Sequence, residues 1–176
     1  ENRVWVDYSQ IPQAMKDAIV AIEDKRFWEH NGVDWRRTLG AVTQLFSEGS
    51  SCGGPTITQQ LIKNVTGDKD DSLTRKVKEI FRALNLNKEY SREQILEAYL
   101  NVVNFGSGTN GVQAAANLYF GKDIQDCDIA ECAAIAGITQ NPSRYTPLVH
   151  PENNMERQQV VLGEMYDQGK ITKAEY

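Results

Sequence analysis

The sequence is poor in the residues that build metal centres and disulfide frameworks. It contains three cysteines and two histidines, and no pair of them has the spacing of a zinc site. An odd number of cysteines leaves at least one thiol unpaired, so we expect Cys127 and Cys132 to be small buried thiols and Cys52 to lie in a loop. No metal-ligating residue is predicted, and the cysteines do not define a cellular compartment.

Long apolar runs and excess positive charge are also missing. No stretch of about 20 apolar residues is present, so we expect no membrane-spanning helix within the chain. The formal net charge of -5 argues against a nucleic-acid partner, although it says nothing about local basic patches. The chain begins at Glu1 rather than at a methionine, and we interpret it as a fragment of a longer protein.

Helical periodicity dominates what is present. Hydrophobic residues make up 40 % of the 176 residues, which is enough for the core of a single domain over residues 1–176. One predicted buried helix face, with Pro12 in its first turn, comprises Ile11, Met15, Ala18, Ile19 and Ile22. A second predicted face comprises Leu73, Val77, Ile80, Phe81 and Leu84.

Further helices are expected in the second half of the chain. Ser91 and Gln94 have the spacing of a capping box, and an apolar stripe of helical period follows them. Three more helices are predicted near residues 111–119, 128–137 and 152–168. Only residues 3–6 look extended, and strands do not alternate with helices, so the predicted fold class is mainly α.

Two irregular polar stretches interrupt this helical pattern. Ser47 to Pro55 reads SEGSSCGGP and Thr66 to Ser72 reads TGDKDDS, compositions that are typical of flexible loops. We therefore predict a small mobile lobe over about residues 36–72, inserted in the helical body. An apolar stripe of helical period in this lobe comprises Leu39, Val42, Leu45 and Phe46. Because a flexible loop follows it directly, we expect the stripe to lie exposed, as surfaces that contact a membrane or a partner do, and packing against the helical body is the alternative.

The first run of chemically active residues reads EDKRFWEHNGVD and starts at Glu23. Glu23 follows the predicted buried face directly, where the chain turns towards Phe27 and Trp28. Apolar surroundings destabilise an ionised carboxylate, and a more basic carboxylate suits proton abstraction. The spacing alone is equally compatible with a solvated helix end that carries an ordinary Glu-Asp pair.

The second run reads GGPTITQQLIKN and is dense in hydrogen-bonding groups. Gln59, Gln60 and Lys63 share one helix surface at i, i+3 and i+4 spacing, together with Asn64. Neutral amides beside one cation suit the binding of a sugar and an acidic group. A polar helix start after a loop is the simpler interpretation of the same spacing.

The third run, Arg75 to Arg82, is basic in an acidic chain. Arg75 and Lys76 lie on the same side of a predicted helix as Glu79, and their positive charge favours its ionised form. A cationic cluster of this kind suits a polyanion such as a diphosphate. Ordinary ion pairs on a solvated helix face remain the alternative.

The combination and order of these runs resembles one enzyme family. EDKRFWEHNGVD, GGPTITQQLIKN and RKVKE are similar to the first three motifs of the peptidoglycan glycosyltransferases, which occur in bifunctional class A penicillin-binding proteins and in monofunctional transglycosylases. ILEAYLN with the later YFGK resembles the fourth motif, and RQQVVLGEM resembles the fifth. Two positions depart from the family pattern: Pro55 replaces a serine or alanine, and Gln158 replaces an arginine, which leaves Arg157 as a weaker match.

The resemblance implies a lysozyme-like helical body with a small, flexible, membrane-facing jaw lobe. It implies polymerisation of a lipid-linked disaccharide-pentapeptide, lipid II, into β-1,4 glycan strands, with inversion and release of polyprenyl diphosphate. The expected partners are lipid II, the growing glycan strand, the membrane surface and a linked transpeptidase domain. The expected location is the outer face of the bacterial cytoplasmic membrane, with an N-terminal transmembrane anchor outside this fragment.

The resemblance also implies the site residues. Glu23 and Glu79 are the expected catalytic residues, with Glu23 as base and Glu79 as an electrostatic partner of the basic cluster. The expected substrate-binding residues are Asp24, Phe27, Gln59, Gln60, Lys63, Arg75, Lys76, Tyr99 and Asn141. No cofactor is expected to be required, although a magnesium or manganese ion can bridge Glu79 to a diphosphate.

Two other functions fit part of the pattern. A lysozyme-like peptidoglycan hydrolase also uses a pair of carboxylates. Hydrolysis of an uncharged glycosidic bond has no use for the basic run, however. A catalytically inactive binding module is the third possibility, and the presence of both glutamates argues against it.

Overall fold

A computed structural model describes residues 4–39, 54–67 and 72–176 of the chain. Its α-helices are α1 (Gln13–Glu23), α2 (35–39), α3 (Ile57–Thr66), α4 (Leu73–Glu89), α5 (Arg92–Val102), α6 (Val112–Phe120), α7 (Ile129–Ala136), α8 (Pro142–Tyr145) and α9 (Pro151–Asp167). Short 3-10 turns cover Tyr8–Gln10 and Ile124–Asp126. The described ranges hold no β-strand, and an isolated bridge joins Asn104 to Asn110. The mainly α fold class is confirmed.

The main core forms around α1. This helix packs against α7 and α9, while α3 packs against α4 and α5. Met15, Ala18 and Ile19 of the predicted first face are fully buried, and Ile11 is nearly so. Ile22 is only half-buried, because it borders the cleft described below. The sequence pattern of α1 therefore predicted its buried face correctly up to the last turn.

Helix α5 begins as its sequence predicts and anchors the first described residues. The Ser91 hydroxyl accepts from Gln94 N, and the Gln94 side chain accepts from Ser91 N, which completes a capping box. Further along α5, the buried Asn101 amide exchanges two hydrogen bonds with the backbone of Val6, at 2.8 and 2.9 Å. Residues 3–6 were expected to be extended; of these, residues 4–6 are described, and they are held by the Asn101 side chain and join no strand within the described ranges.

The predicted buried face of α4 is wrong for three of its five residues. Leu73, Val77 and Phe81 are 79 %, 45 % and 64 % exposed. Helix α4 packs against the rest of the protein through Ile80, Ala83 and Leu84. These residues form a small second hydrophobic cluster with Val33, which precedes α2, and Ile62 of α3. Periodicity identifies residues that share a helix face, but it does not say whether a neighbour covers that face. We call the three exposed residues the α4 stripe.

The predicted lobe over 36–72 falls only partly within the described residues. Val42, Leu45 and Phe46 lie outside them, as does Cys52, while Leu39 is 63 % exposed. The lobe and its membrane-facing stripe therefore stay predictions. No described helix is both long and apolar enough to cross a bilayer.

The two remaining cysteines are buried free thiols, as predicted. Burial raises the pKa of the Cys127 thiol to about 11 and the pKa of the Cys132 thiol further still. Both thiols are therefore protonated and unreactive at neutral pH.

We expect Asn101→Ala to lower the free energy of unfolding by about 2–4 kcal/mol, because it leaves the buried N–H and C=O of Val6 without partners. Urea unfolding followed by circular dichroism measures this loss. The control is Asn117→Ala, an exposed position on α6, where we expect a change within about 0.5 kcal/mol. Equal stability of the two variants would contradict the anchoring role of Asn101.

Candidate active site

Three adjoining cavities form one cleft around the end of α1. The first, the basic cavity, has a volume of about 360 Å³ and is lined by Gln59, Lys63, Arg75, Lys76 and Glu79 among others. The second, the glutamate cavity, has a volume of about 660 Å³ and is lined by residues that include Glu23, Gln60, Thr139 and Arg157. The third, the arginine cavity, has a volume of about 510 Å³ and carries Lys25, Arg26, Arg36, Arg37 and Arg157. Glu23 lines both of the larger cavities, and Arg37 lines all three.

Glu23 is the last residue of α1 and is held from two sides. The Thr139 hydroxyl donates to Glu23 Oε1 at 2.5 Å, and the Gln60 amide donates to Glu23 Oε2 at 3.3 Å. The backbone oxygen of Glu23 accepts from Arg37 Nη1 at 3.0 Å. The described donors to the carboxylate are therefore neutral groups, while a cation holds its backbone.

The orientation of the Gln60 amide follows from its other partners. Its Oε1 accepts from the Tyr99 hydroxyl at 2.9 Å, and its Nε2 also donates to Pro55 O at 3.0 Å. A phenol donor on one side and a carbonyl acceptor on the other fix which end of the amide faces Glu23. Gln60 binds the backbone carbonyl of Pro55, and proline lacks only the backbone N–H. The replacement of serine or alanine by Pro55 therefore leaves this hydrogen bond intact.

Asp24 joins the first motif to the second. It is 1 % exposed, and its Oδ2 accepts from His30 Nε2 at 2.7 Å and from Ile57 N at 3.1 Å. His30 Nδ1 accepts from Gly32 N at 3.0 Å, so the ring proton lies on Nε2 and points at Asp24. Gly32 has a φ of +108°, and a Cβ there would lie 2.4 Å from Ala83 O, so only glycine fits this turn.

Two predicted substrate-binding residues lie beneath the surface of the cleft. Phe27 and Tyr99 are fully buried. Phe27 packs edge-on against Trp28 and His30, with ring centroids 5.0 and 5.9 Å apart. Phe27 packs within the turn that follows Glu23, and Tyr99 donates a hydrogen bond to Gln60, so both residues stabilise the site without being exposed in it.

Asn141 lies at the edge of the site. Its side chain accepts from Arg144 N and so caps α8, while its neighbours Gln140 and Pro142 line the glutamate cavity. Asn141 itself is not among the residues that line the three cavities. Its predicted contact with a substrate stays a prediction.

The basic cavity brings the second and third motifs together. Arg75 Nη1 lies 2.9 Å from Glu79 Oε2, one helical turn away on α4. The Gln59 side chain accepts from Thr56 N in the capping box of α3, and the exposed Lys63 follows it one turn later. Lys76 completes the cationic wall. The pairing of Glu79 with Arg75 fits the electrostatic role predicted for this glutamate.

Sequence reasoning missed Thr139 and Arg37. Thr139 lies in the turn after α7, 116 residues from the carboxylate that it contacts, and no local pattern marks it. Arg37 belongs to a Trp-Arg-Arg triplet directly after the first motif. Two adjacent cations at that place in an acidic chain could have indicated a basic part of the site.

The fifth motif contributes through Arg157 rather than Gln158. Arg157 lines the glutamate and arginine cavities, and its Cγ lies 2.8 Å from where a Cβ on Gly137 would be. The absence of a side chain at Gly137 thus lets Arg157 cross the turn that carries Thr139. Gln158 donates to Ala130 O at 2.7 Å instead and ties α9 to α7.

Sequence comparisons show which known proteins this chain is similar to. The chain is 44 % identical to penicillin-binding protein 1F of Bacillus subtilis, with 99 % of this chain and 25 % of the relative covered. It is 41 % identical to penicillin-binding protein 1A of Clostridium botulinum, with 100 % of this chain and 22 % of the relative covered. The chain spans about a quarter of the length of these curated relatives.

A structural comparison and a family model identify the domain. A crystal structure of penicillin-binding protein 1A from Haemophilus influenzae matches 100 % of this chain and 17 % of its own, with a TM-score of 0.59 at 26 % identity. This relationship supports the lysozyme-like helical body expected above. A family model described as Transglycosylase matches residues 1–166. The chain therefore belongs to the transglycosylase family of glycosyltransferase enzymes.

Proposed function

We propose that this domain polymerises lipid II into β-1,4-linked glycan strands, with inversion at the anomeric carbon and release of polyprenyl diphosphate. The growing strand is the donor, and a new lipid-linked unit is the acceptor. The observation that carries this proposal is the position of Glu23. Its carboxylate is bound by neutral donors, and it lines both the cation-rich arginine cavity and the glutamate cavity, which shares Lys63 with the basic cavity.

Glu23 is the proposed general base. The 4-hydroxyl of the acceptor sugar must lose its proton as it attacks the donor's anomeric carbon, and a positioned carboxylate can take that proton. Glu23 lines the glutamate cavity, where an incoming sugar can reach it, and Thr139 and Gln60 fix its plane. Proximity and orientation of this kind are a main source of rate acceleration.

The basic cavity is the proposed site of the leaving diphosphate. Lys63, Arg75 and Lys76 line it, and cations placed where negative charge develops stabilise a departing diphosphate. Glu79 orients Arg75 through their 2.9 Å pair. No group of three or more metal-ligating side chains occurs in the described parts of the chain, so a magnesium or manganese ion would bind Glu79 together with the substrate's phosphates.

The arginine cavity is the proposed site of the acceptor's diphosphate. Arg26 is paired with Asp34 at 2.7 Å, which leaves Lys25, Arg36 and Arg157 beside Arg37 on this wall. A reaction between two lipid-linked substrates needs two diphosphate sites, one on each side of the base. A lysozyme-like hydrolase acting on a neutral glycosidic bond would use neither, which argues against that alternative.

The proposed substrate keeps its polyprenyl tail in a bilayer, so the domain must lie against a membrane. Within the described residues, the α4 stripe supports such a contact, because three large apolar side chains lie exposed on one helix face. We propose that the whole protein acts at the outer face of the cytoplasmic membrane, with an N-terminal anchor and a linked transpeptidase domain. The length of the curated relatives supports a larger protein of this kind.

Glu23→Gln should reduce polymerisation of lipid II by about 10²–10⁴-fold, because it removes the proposed base while keeping the shape of the side chain. The rate is measured from incorporation of labelled lipid II into glycan. Release of sugar from mature peptidoglycan is assayed in parallel to test the hydrolase alternative. A Glu23→Gln variant that polymerises at the parent rate would exclude Glu23 as the base.

Lys76→Ala should lower kcat/KM by roughly 10- to 100-fold, because a charge-assisted contact to phosphate contributes about 1.5–3 kcal/mol. The matched control is Lys88→Ala, an exposed lysine near the end of the same helix that does not line the basic cavity. Equal losses in both variants would point to the overall charge of α4 rather than to a diphosphate site.

Leu73→Asp combined with Phe81→Asp should release the domain from anionic lipid vesicles without unfolding it, since both side chains are exposed. Vesicle co-sedimentation measures binding, and circular dichroism checks the fold. The control combines Leu118→Asp with Leu148→Asp, two exposed positions outside α4. Binding that survives in the α4 variant would place the membrane contact elsewhere in the domain.

A further inference from the structure

Thr139 carries a single hydroxyl proton, and besides its hydrogen bond with Tyr99 it lies within reach of two acceptors for that proton. Glu23 Oε1 lies at 2.5 Å and Ala136 O at 3.1 Å from its Oγ1. A hydroxyl can donate to only one of them at a time, and its proton turns to whichever oxygen is more negative. Ala136 ends α7, and its carbonyl is one of the last of the helix. The hydroxyl of Thr139 therefore lies between a fixed helix end and the proposed base.

We propose that Thr139 is a positioning residue whose hydroxyl donates to the ionised carboxylate of Glu23 and turns to Ala136 O when Glu23 takes up the acceptor's proton. This inference rests on the proposed role of Glu23 as general base. It adds that Thr139 stabilises the ionised state of Glu23 and releases the carboxyl group once Glu23 is protonated.

The bonding changes assign a separate role to each carboxylate oxygen. The acceptor's O–H bond breaks as its oxygen bonds to the anomeric carbon, and the bond from that carbon to the diphosphate breaks, with the electron pair leaving on the diphosphate. Thr139 occupies Glu23 Oε1, whereas the contact of Oε2 with Gln60 is the longer one, at 3.3 Å. The proton therefore passes to Oε2, and the charge on Oε1 falls, which frees the Thr139 hydroxyl to turn.

Gln60 and Tyr99 cannot replace Thr139 in this role. The Gln60 amide is fixed by Tyr99 and Pro55, so it stays a donor to Oε2 in both states. Burial and the charges of Glu23 and Asp24 raise the pKa of Tyr99 well above its ordinary value, against a lowering by its hydrogen bond with Thr139. The phenol thus keeps its proton, and the Thr139 hydroxyl is the one described partner of the carboxylate that can turn between two acceptors.

Other charged groups also face this carboxylate and set the background against which Thr139 acts. Those that line the two cavities of Glu23, together with Tyr99, are Asp24, Lys25, Arg26, Arg36, Arg37, Lys63, Tyr99, Arg157 and Glu164. Tyr99 also loses a hydrogen bond in a variant at position 139, but that bond lowers its raised pKa, so its phenol stays protonated and its charge does not change. A shift of the pH profile in that variant therefore reports the loss of the hydroxyl.

The test compares parent, Thr139→Val, Thr139→Ala and Thr139→Ser in lipid II polymerisation across a range of pH. Loss of a donor to the ionised form makes the carboxylate harder to ionise, so the acid limb of the profile moves to higher pH in the valine and alanine variants. We also expect kcat to fall about tenfold with little change in KM, since Thr139 holds the base and not the substrate. Thr139→Ser keeps the hydroxyl and should restore the parent profile.

Two outcomes separate this inference from the function on which it rests. An active parent with an inactive Glu23→Gln variant, together with valine and alanine variants that keep the parent's kcat and acid limb, would overturn the role of Thr139 and leave the polymerase assignment intact. A parent that fails to polymerise lipid II would overturn the proposed function itself. Two hydroxyl-free variants are used so that poor folding of one does not decide the result.

Discussion

The buried carboxylate of Asp24 holds the active site together. It accepts from the His30 ring and from the first backbone N–H of α3, so one oxygen connects the turn after α1 to the helix that carries Gln60. A negative charge at this end of α3 also interacts favourably with the helix dipole. Arg37 approaches the other oxygen at 3.9 Å and binds the backbone of Glu23. The geometry of the proposed base thus depends on a residue that is itself only 1 % exposed, at the wall of the arginine cavity.

The net charge of the domain is negative, whereas the charge of the cleft is positive. The chain carries a formal charge of -5, yet the basic and arginine cavities are each lined by several cations. Acidic side chains elsewhere keep the whole molecule from being a general polyanion binder. The proposed recognition of a diphosphate therefore depends on the local charge of the cleft and not on the net charge of the domain.

The sequence was informative where function depends on residues close together along the chain. The helical period of α1, the capping box at Ser91 and the basic run from Arg75 were all predicted from local spacing, and the structure contains each of them. Contacts between distant segments were not predictable in this way. Thr139 meets Glu23 only through the fold, and the exposure of Phe81 depends on what covers α4 rather than on its period.

The turn that carries Thr139 has a consequence for how the protein is made. Glu23 is synthesised early, but its hydroxyl partner follows 116 residues later, and Arg157 follows later still. Contacts between such distant parts of a chain form slowly and only after most of the domain has left the ribosome. A nascent chain that has only its first helices therefore contains Glu23 without Thr139 and Arg157, which surround it in the folded domain. The domain becomes a competent catalyst only when its last helix closes over the first.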